Sequence, residues 1–153
     1  MLLNALMNTN GFDALASTLH RTHEWIAAIA EDAHLERNDA FKALRAVLQT
    51  LRDRLPVDDA AHFAAQLPML VRGLFYEGWR PSKVPIKMHR HEFLACVGER
   101  MITDHPVNPF VITQHVLGVL SRLLSRGEVG KLRDVLPRDI RELWPEPAAA
   151  VPA

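Results

Sequence analysis

An internal repeat is the feature that most constrains the fold of this sequence, because a duplicated unit must pack against its own copy. The segment 23–27 aligns with 91–95 at an offset of 68 residues, and after one inserted residue Leu67-Pro68 aligns with Leu136-Pro137. The other matched positions are mostly apolar: Phe41 and Phe110, Leu48 and Leu117, Leu51 and Leu120, Leu55 and Leu124, Val71 and Ile140, Leu74 and Leu143. The sequence therefore predicts two diverged copies of one unit.

Helical spacing identifies the secondary structure of that unit. Phe41, Leu44, Leu48, Leu51 and Leu55 alternate spacings of three and four, which is typical of one face of an amphipathic helix. Strand-like alternation bounded by turn signals does not occur in the sequence. One unit of about 60 residues has a marginal core by itself. We therefore expect an all-α fold in which two tandem pseudo-symmetric repeats pack into one compact bundle, with Leu48 and Leu117 in its core.

Turn signals and prolines in the sequence predict five segments. Asn10-Gly11 is a turn signal, and the prolines at 81 and 85 indicate a linker. The predicted segments are an N-terminal lead-in at 1–11, a first repeat at 12–78, a Pro/basic linker at 79–88, a second repeat at 89–145 and a Pro/Ala-rich tail at 146–153. Within the first repeat, the apolar residues at 12, 15, 19, 26, 29 and 33 predict a core-facing helix.

Charge and composition restrict the classes of function. The 18 basic and 18 acidic side chains give a formal net charge of zero, whereas a nucleic-acid binder usually carries a basic surplus. Nucleic acid is therefore a disfavoured partner. One cysteine excludes an internal disulfide and favours a reducing cytoplasm. The N-terminal residues lack a basic region, and no stretch approaches the roughly 20 apolar residues that span a bilayer, so we expect neither a signal peptide nor membrane insertion.

Four segments carry a family resemblance. They are residues 43–56 (ALRAVLQTLRDRLP), 65–68 (AQLP), 72–79 (RGLFYEGW) and the closing stretch 127–144. Together they resemble the bacterial domain-of-unknown-function family 2267, over about residues 12–145. The resemblance implies an all-helical bacterial domain that contains the same duplication. It implies no activity and no cofactor.

Residues that occur in one copy and have no counterpart in the other define a candidate binding segment. Trp144 aligns with Phe75, so Tyr76, Trp79 and Arg80 in the first copy have no counterpart in the second. Aromatic and arginine side chains are typical of binding hot spots. With Arg72, these three residues are the candidate ligand- or partner-binding site. The alternative is that Trp79 is buried between the two copies, in which case Arg72, Tyr76 and Arg80 would carry the function.

Gly73 lies within the same helical segment, where the second copy has Glu142. Glycine costs roughly 1 kcal/mol relative to alanine inside a helix. Close packing against another helix or against a ligand would explain it. Helix packing is the simpler of these two explanations.

Catalytic and metal-binding patterns are weak. His89, His91 and Glu92 are chemically adequate zinc ligands, but a His-Glu pair recurs in both copies, which favours helix capping over a metal site. Cys96 aligns with Ala28 inside a helix and is predicted to be a buried, inert thiol. The charges of 52–54 alternate and are predicted to form surface ion pairs, and His115 is predicted to be a core histidine.

The sequence therefore predicts a noncatalytic binding domain whose partner is another protein or a second copy of itself. The alternative is a module that binds a metal or a small molecule through the Arg72–Arg80 segment or through the cluster of His89, His91 and Glu92. An enzyme ranks third, because no recognisable catalytic constellation is present.

Overall fold

In the computed structural model, the backbone is described for residues 2–146 and the side chains for residues 11–146. This part of the chain contains eight α-helices, one 3₁₀ turn and no strand. The helices are α1 (Leu2–Ala33), α2 (Arg37–Arg54), α3 (Val57–Ala64), α4 (Met69–Tyr76), α5 (Arg90–Arg100), α6 (Pro109–Leu123), α7 (Arg126–Asp134) and α8 (Arg138–Arg141). The 3₁₀ turn is Pro81–Lys83. The all-α prediction is confirmed, and the predicted tail lies outside the described residues except for Glu146.

Capping side chains, prolines and a glycine explain where several helices begin or end. The side chain of Asn108 accepts hydrogen bonds from the backbone N–H groups of Phe110 and Val111, and it caps α6, whose first residue is a proline. Pro56 and Pro68 occupy the N-cap positions of α3 and α4, so each proline separates two helices. Gly78 follows α4 with a φ of +78°, a left-handed conformation that suits glycine and ends the helix.

The core is centred on α2, which packs against α1, α4, α5 and α6. Leu44, Leu48, Leu51 and Leu55 of the predicted apolar face are fully buried, and Phe41 is half-buried at its edge. On α6 the buried residues include Val116, Leu117 and Leu120, so the predicted core positions of both helices are confirmed. The short helices α3 and α7 pack against each other at the periphery.

The first helix differs from the prediction in two respects. It runs continuously through Asn10-Gly11, so the predicted turn is absent. Trp25 and Ile29 are buried in the core, but the side chains that precede them on the predicted face are exposed: Phe12 by 75%, Leu15 by 57% and Leu19 by 51%. The physical reason is length, because α1 has 32 residues whereas α5 has 11, and α1 extends past the helices that could cover it.

Within the described residues, no helix combines the length and the apolar character needed to cross a bilayer.

Candidate functional site

Arg72 is engaged within the protein. From α4 its Nε donates to the carbonyl of Ala64 at 2.9 Å, and its Nη2 donates to those of Ala65 at 3.4 Å and Leu67 at 3.0 Å. These carbonyls lie at the end of α3 and in the turn that follows, where backbone acceptors lack helical partners. Arg72 therefore fixes the α3–α4 turn, and its guanidinium is occupied by hydrogen bonds within the protein.

Tyr76 and Trp79 end a row of aromatic rings that begins in the core. The centroids of Phe63 and Phe75 are 5.5 Å apart, those of Phe75 and Tyr76 are 5.4 Å apart, and those of Tyr76 and Trp79 are 5.2 Å apart. Phe63 and Phe75 are buried, whereas Tyr76 and Trp79 are half-buried. The Trp79 Nε1 atom is buried and has no hydrogen-bond partner among the described residues. The indole is thus neither fully buried between the repeats nor fully free.

Arg80 follows Trp79 directly, and its side chain is exposed at the start of the 3₁₀ turn. Tyr76, Trp79 and Arg80 therefore occupy one short stretch of surface at the end of α4, whereas Arg72 belongs to the turn at its beginning.

A buried ionic network lies beneath the end of α4. Arg52 is 3% exposed and Asp53 8%, so the prediction that they form surface ion pairs is wrong. Asp53 Oδ1 accepts from Arg52 Nε and lies 2.9 Å from Arg52 Nη2, and Asp53 Oδ2 accepts from Arg100 Nη2. Arg52 Nη1 donates to the carbonyls of Phe75 at 3.0 Å and Glu77 at 2.6 Å. The network therefore joins α2, α4 and α5.

The apolar stripe of α1 continues onto α4. Thr18 Oγ1 accepts a hydrogen bond from the backbone N–H of Leu70 at 3.2 Å, so α4 begins beside α1 close to Leu15 and Leu19. At that position Met69 is 51% exposed and Leu70 43%. The six residues Phe12, Leu15, Leu19, Met69, Leu70 and Gly73 are called the α1–α4 surface below. Sequence reasoning missed this surface because an apolar stripe has the same spacing whether it faces a core or a partner.

Gly73 is exposed in the middle of α4, and apart from its chain neighbours and the backbone of α4 no atom of the described residues lies within 4 Å of the position that a Cβ would occupy. The expectation that packing against another helix of the chain explains this glycine is therefore wrong for the described residues. Gly98 and Gly118 show the contrast, since a proline ring carbon lies 3.1 Å from the Cβ position of each. Gly73 leaves a flat site between Met69 and Tyr76, which lie four residues before it and three after it on the same helix.

Of the two histidines at the start of α5, His89 takes part in hydrogen bonds at the helix start and His91 is exposed. Glu92 Oε1 accepts from the backbone N–H of His89 at 3.2 Å, and Asp139 Oδ2 accepts from that of Arg90 at 2.9 Å. The bond from Arg90, together with one from His89, lowers the pKa of Asp139 below its ordinary value. His91 is exposed, with its Nε2 atom 3.9 Å from Glu92. No three potential ligands among the described residues come close enough to hold a metal ion.

Helix capping accounts for the His-Glu pair in one copy only. His91-Glu92 is in the first turn of α5, but His23-Glu24 lies in the interior of α1, where both side chains are exposed. The shared capping explanation is therefore wrong for the first copy. Cys96 is half-buried on α5, and burial raises the pKa of its thiol, which disfavours the reactive thiolate.

Comparison with known proteins identifies the family of this chain. No curated protein matches the chain. A family model described as "Uncharacterized conserved protein (DUF2267)" matches residues 22–143, which include α2 to α8 and the core-facing part of α1. The apolar stripe at Phe12, Leu15 and Leu19 precedes the matched region. The match covers well over half of the sequence, and the chain belongs to the DUF2267 family.

Proposed function

We propose that this protein is a noncatalytic binding domain that associates with a second copy of itself through the α1–α4 surface. The observation that carries the proposal is the exposure of five large apolar side chains on two adjoining helices. A scattered exposed leucine needs no explanation, whereas a contiguous apolar patch is typical of an interaction site. The single cysteine favours a reducing compartment, and we propose the bacterial cytoplasm.

Charge favours a second copy as the occupant. A twofold interface places each patch against itself, so a charged patch would bring like charges together. Residues 11–19 of α1 contain one ionisable side chain, Asp13, and the α1–α4 surface contains none. The chain as a whole has a formal net charge of zero and a pI near 7.1, so no long-range repulsion opposes association at neutral pH.

The exposed glycine supports the same occupant. Gly73 gives up helical stability, and no side chain in the described part of the protein fills the space above it. A partner side chain that packs between Met69 and Tyr76 would use that space. Tyr76, Trp79 and Arg80 then form the edge of the contact, because Tyr76 and Trp79 are half-buried and Arg80 is exposed. Arg72 is left out of the contact, because its guanidinium is hydrogen-bonded to the α3–α4 turn.

Light scattering and sedimentation velocity test the proposal. We expect the wild-type protein to reach twice its chain mass of 17.3 kDa with a dissociation constant in about the micromolar range. Leu15→Asp should give a monomer with an unchanged circular dichroism spectrum, because it places a charge on the interface without touching the core. Val57→Asp is the matched control, because Val57 is 38% exposed on α3, and this variant should associate as the wild type does.

Two results would contradict self-association. One is a wild-type protein that stays monomeric at millimolar concentration. The other is a Leu15→Asp variant that associates as tightly as Val57→Asp. If the wild type is monomeric but binds a helix of another protein through Leu15, the α1–α4 surface is an interface and its partner is that other protein.

We also propose that the two halves are diverged copies related by a pseudo-twofold axis. Matched burial supports this proposal: Leu67 and Leu136, Val71 and Ile140, and Phe75 and Trp144 are all buried. Each half also contains four helices in the same order of connection, α1–α4 and α5–α8. Crystallographic Cα positions of 22–76 and 90–144 provide the test, because the helices of the two units must superpose in chain order.

A further inference from the structure

A groove separates the α1–α2 connection from the α5–α6 loop, far along the chain from α4. It has a volume of about 280 Å³. Its walls are mainly apolar and include Leu35, Val107, Val111 and Ile112, and its polar lining residues are His105, Asn108 and His115. Apolar walls with a few converging polar groups are the usual composition of a small-molecule site.

The loop that forms one wall is anchored at several points, so the groove is preformed. Lys42 Nζ donates to the carbonyl of Ile102 at 2.7 Å, and Thr103 Oγ1 donates to that of His105 at 2.7 Å. His105 Nε2 lies 2.8 Å from Asp39 Oδ2, and this hydrogen bond raises the pKa of His105. Because both ring nitrogens of His105 have partners in the protein, this histidine serves to hold the loop on α2.

His115 has a different arrangement, and it is half-buried at the groove wall and not in the core as predicted. Its Nδ1 atom lies 2.7 Å from Asp32 Oδ2, and the other oxygen of Asp32 accepts from Arg122 Nη1 at 3.1 Å. Burial raises the pKa of Asp32, but the hydrogen bonds from His115 and Arg122 outweigh it and hold the pKa below its ordinary value. The ionised carboxylate therefore keeps a proton on Nδ1, and in the neutral ring Nε2 is a hydrogen-bond acceptor.

That acceptor has no partner in the described part of the protein. His115 lines the groove whereas Asp32, the partner of its Nδ1 atom, does not, and on this ground the proposal below assigns Nε2 to the groove side of the ring. A bound molecule with an O–H group would supply the donor that Nε2 lacks.

The charges on and near the groove wall favour an uncharged ligand. The lining residues include no lysine, arginine, aspartate or glutamate. The nearby carboxylate of Asp32 is hydrogen-bonded to His115 and Arg122, that of Asp39 lies 2.8 Å from His105 Nε2, and Asp104 adds a further negative charge beside His105. An anion would meet these carboxylates with no unpaired arginine or lysine on the groove wall to receive it.

We propose that this groove binds a small uncharged alcohol or phenol, whose apolar body contacts Val107, Val111 and Ile112 and whose hydroxyl donates to His115 Nε2. Volume supports a ligand of this size, because an apolar cavity of roughly 150 Å³ is enough for benzene. The groove therefore holds one substituted ring or a short branched chain.

Titration with phenol, followed by amide chemical shifts in two-dimensional NMR, tests the proposal. We expect saturable shifts that cluster at Val107, Val111, Ile112 and His115. Anisole has no donor and should bind about fivefold more weakly, as expected for one lost hydrogen bond. Benzoate, the anionic probe, should bind more weakly than phenol.

Three variants separate the contributions. His115→Phe should remove the preference for phenol over anisole while keeping the apolar walls. Val111→Phe should fill the groove and abolish both titrations without touching either ion pair, and it keeps the test decisive should His115→Phe fail to fold. Val57→Phe, on α3 and outside the groove, should bind phenol as the wild type does.

The proposal is overturned by any of three results: no saturable shifts at the groove, tighter binding of benzoate than of phenol, or an unchanged phenol preference in folded His115→Phe.

Discussion

Asp53→Asn tests the role of the buried ionic network. The substitution keeps the size of the side chain and removes its charge. The Arg52 side chain is 4% exposed and that of Asp53 11%, so the wild-type charges are paired almost without solvent. In the variant, two guanidinium groups face a neutral amide. Breaking a buried ion pair by removing one partner typically costs about 3–5 kcal/mol.

The surroundings of Arg100 make the expected loss in the free energy of unfolding smaller. The Arg100 side chain is 30% exposed and also donates to Thr50 Oγ1 at 2.7 Å, so solvent and the hydroxyl offset part of its loss. Arg52 keeps its hydrogen bonds to the carbonyls of Phe75 and Glu77. We therefore expect a loss near the lower end of the range, about 3 kcal/mol in the free energy of unfolding.

Urea denaturation followed by far-ultraviolet circular dichroism measures this loss. Glu142→Gln is the matched control, because it removes a carboxylate from an ion pair whose side chains are exposed by 86% at Arg138 and 52% at Glu142. That control should change the free energy of unfolding by less than about 0.5 kcal/mol. A loss below about 1 kcal/mol in Asp53→Asn would refute the reasoning, because the two guanidinium groups would then tolerate a neutral partner.

Three further predictions concern the core, the aromatic row and a histidine. Leu48→Ala and Leu117→Ala should each lower the free energy of unfolding by about 2–5 kcal/mol in urea denaturation, since both side chains are fully buried. A loss below about 0.5 kcal/mol would show that these two positions are not in the core. Trp79→Ala should cost about 2 kcal/mol in the same assay, less than a fully buried tryptophan; a loss above about 4 kcal/mol would indicate purely structural packing. The pKa of His105 measured by NMR should lie above 6.5 and return towards 6.5 in Asp39→Asn, because the hydrogen bond to Asp39 raises it; equal values in the two proteins would refute that pairing.

The pKa of His105 also fixes a direction for stability. A histidine whose pKa is raised in the folded protein stabilises it fully below its unfolded pKa, and this contribution is lost as the pH rises through the folded pKa. For His105 the loss therefore begins above about pH 6.5.

The faces of α2 and α6 could be predicted because burial leaves a periodic trace in the sequence. Leu44, Leu48, Leu51 and Leu55 follow helical spacing and are all fully buried. The apolar residues of α1 follow similar spacing, yet Phe12, Leu15 and Leu19 are exposed. Periodicity reports that a face is apolar and does not report what covers it.

Polar side chains whose partners are remote in sequence could not be assigned correctly. Arg52 and Asp53 look like a solvated alternation of charges, and their burial depends on carbonyls up to 25 residues away and on Arg100. His115 and Asp32 are separated by 83 residues, and His105 and Asp39 by 66. No local pattern encodes such pairs, because only the tertiary packing of segments remote in sequence brings them together.

Gly73→Ala provides the most direct test of the α1–α4 surface as an interface. The added methyl group meets no side chain among residues 11–146 of the same chain, and alanine is the better helix former, so the monomer should become more stable by about 0.5–1 kcal/mol. In the proposed dimer the same methyl group would occupy the space assigned to a partner side chain. We therefore predict, from urea denaturation of dilute protein and sedimentation equilibrium of concentrated protein, that Gly73→Ala unfolds at higher urea but dissociates more readily than the wild type. A variant that gains stability and associates as tightly as the wild type would contradict the account.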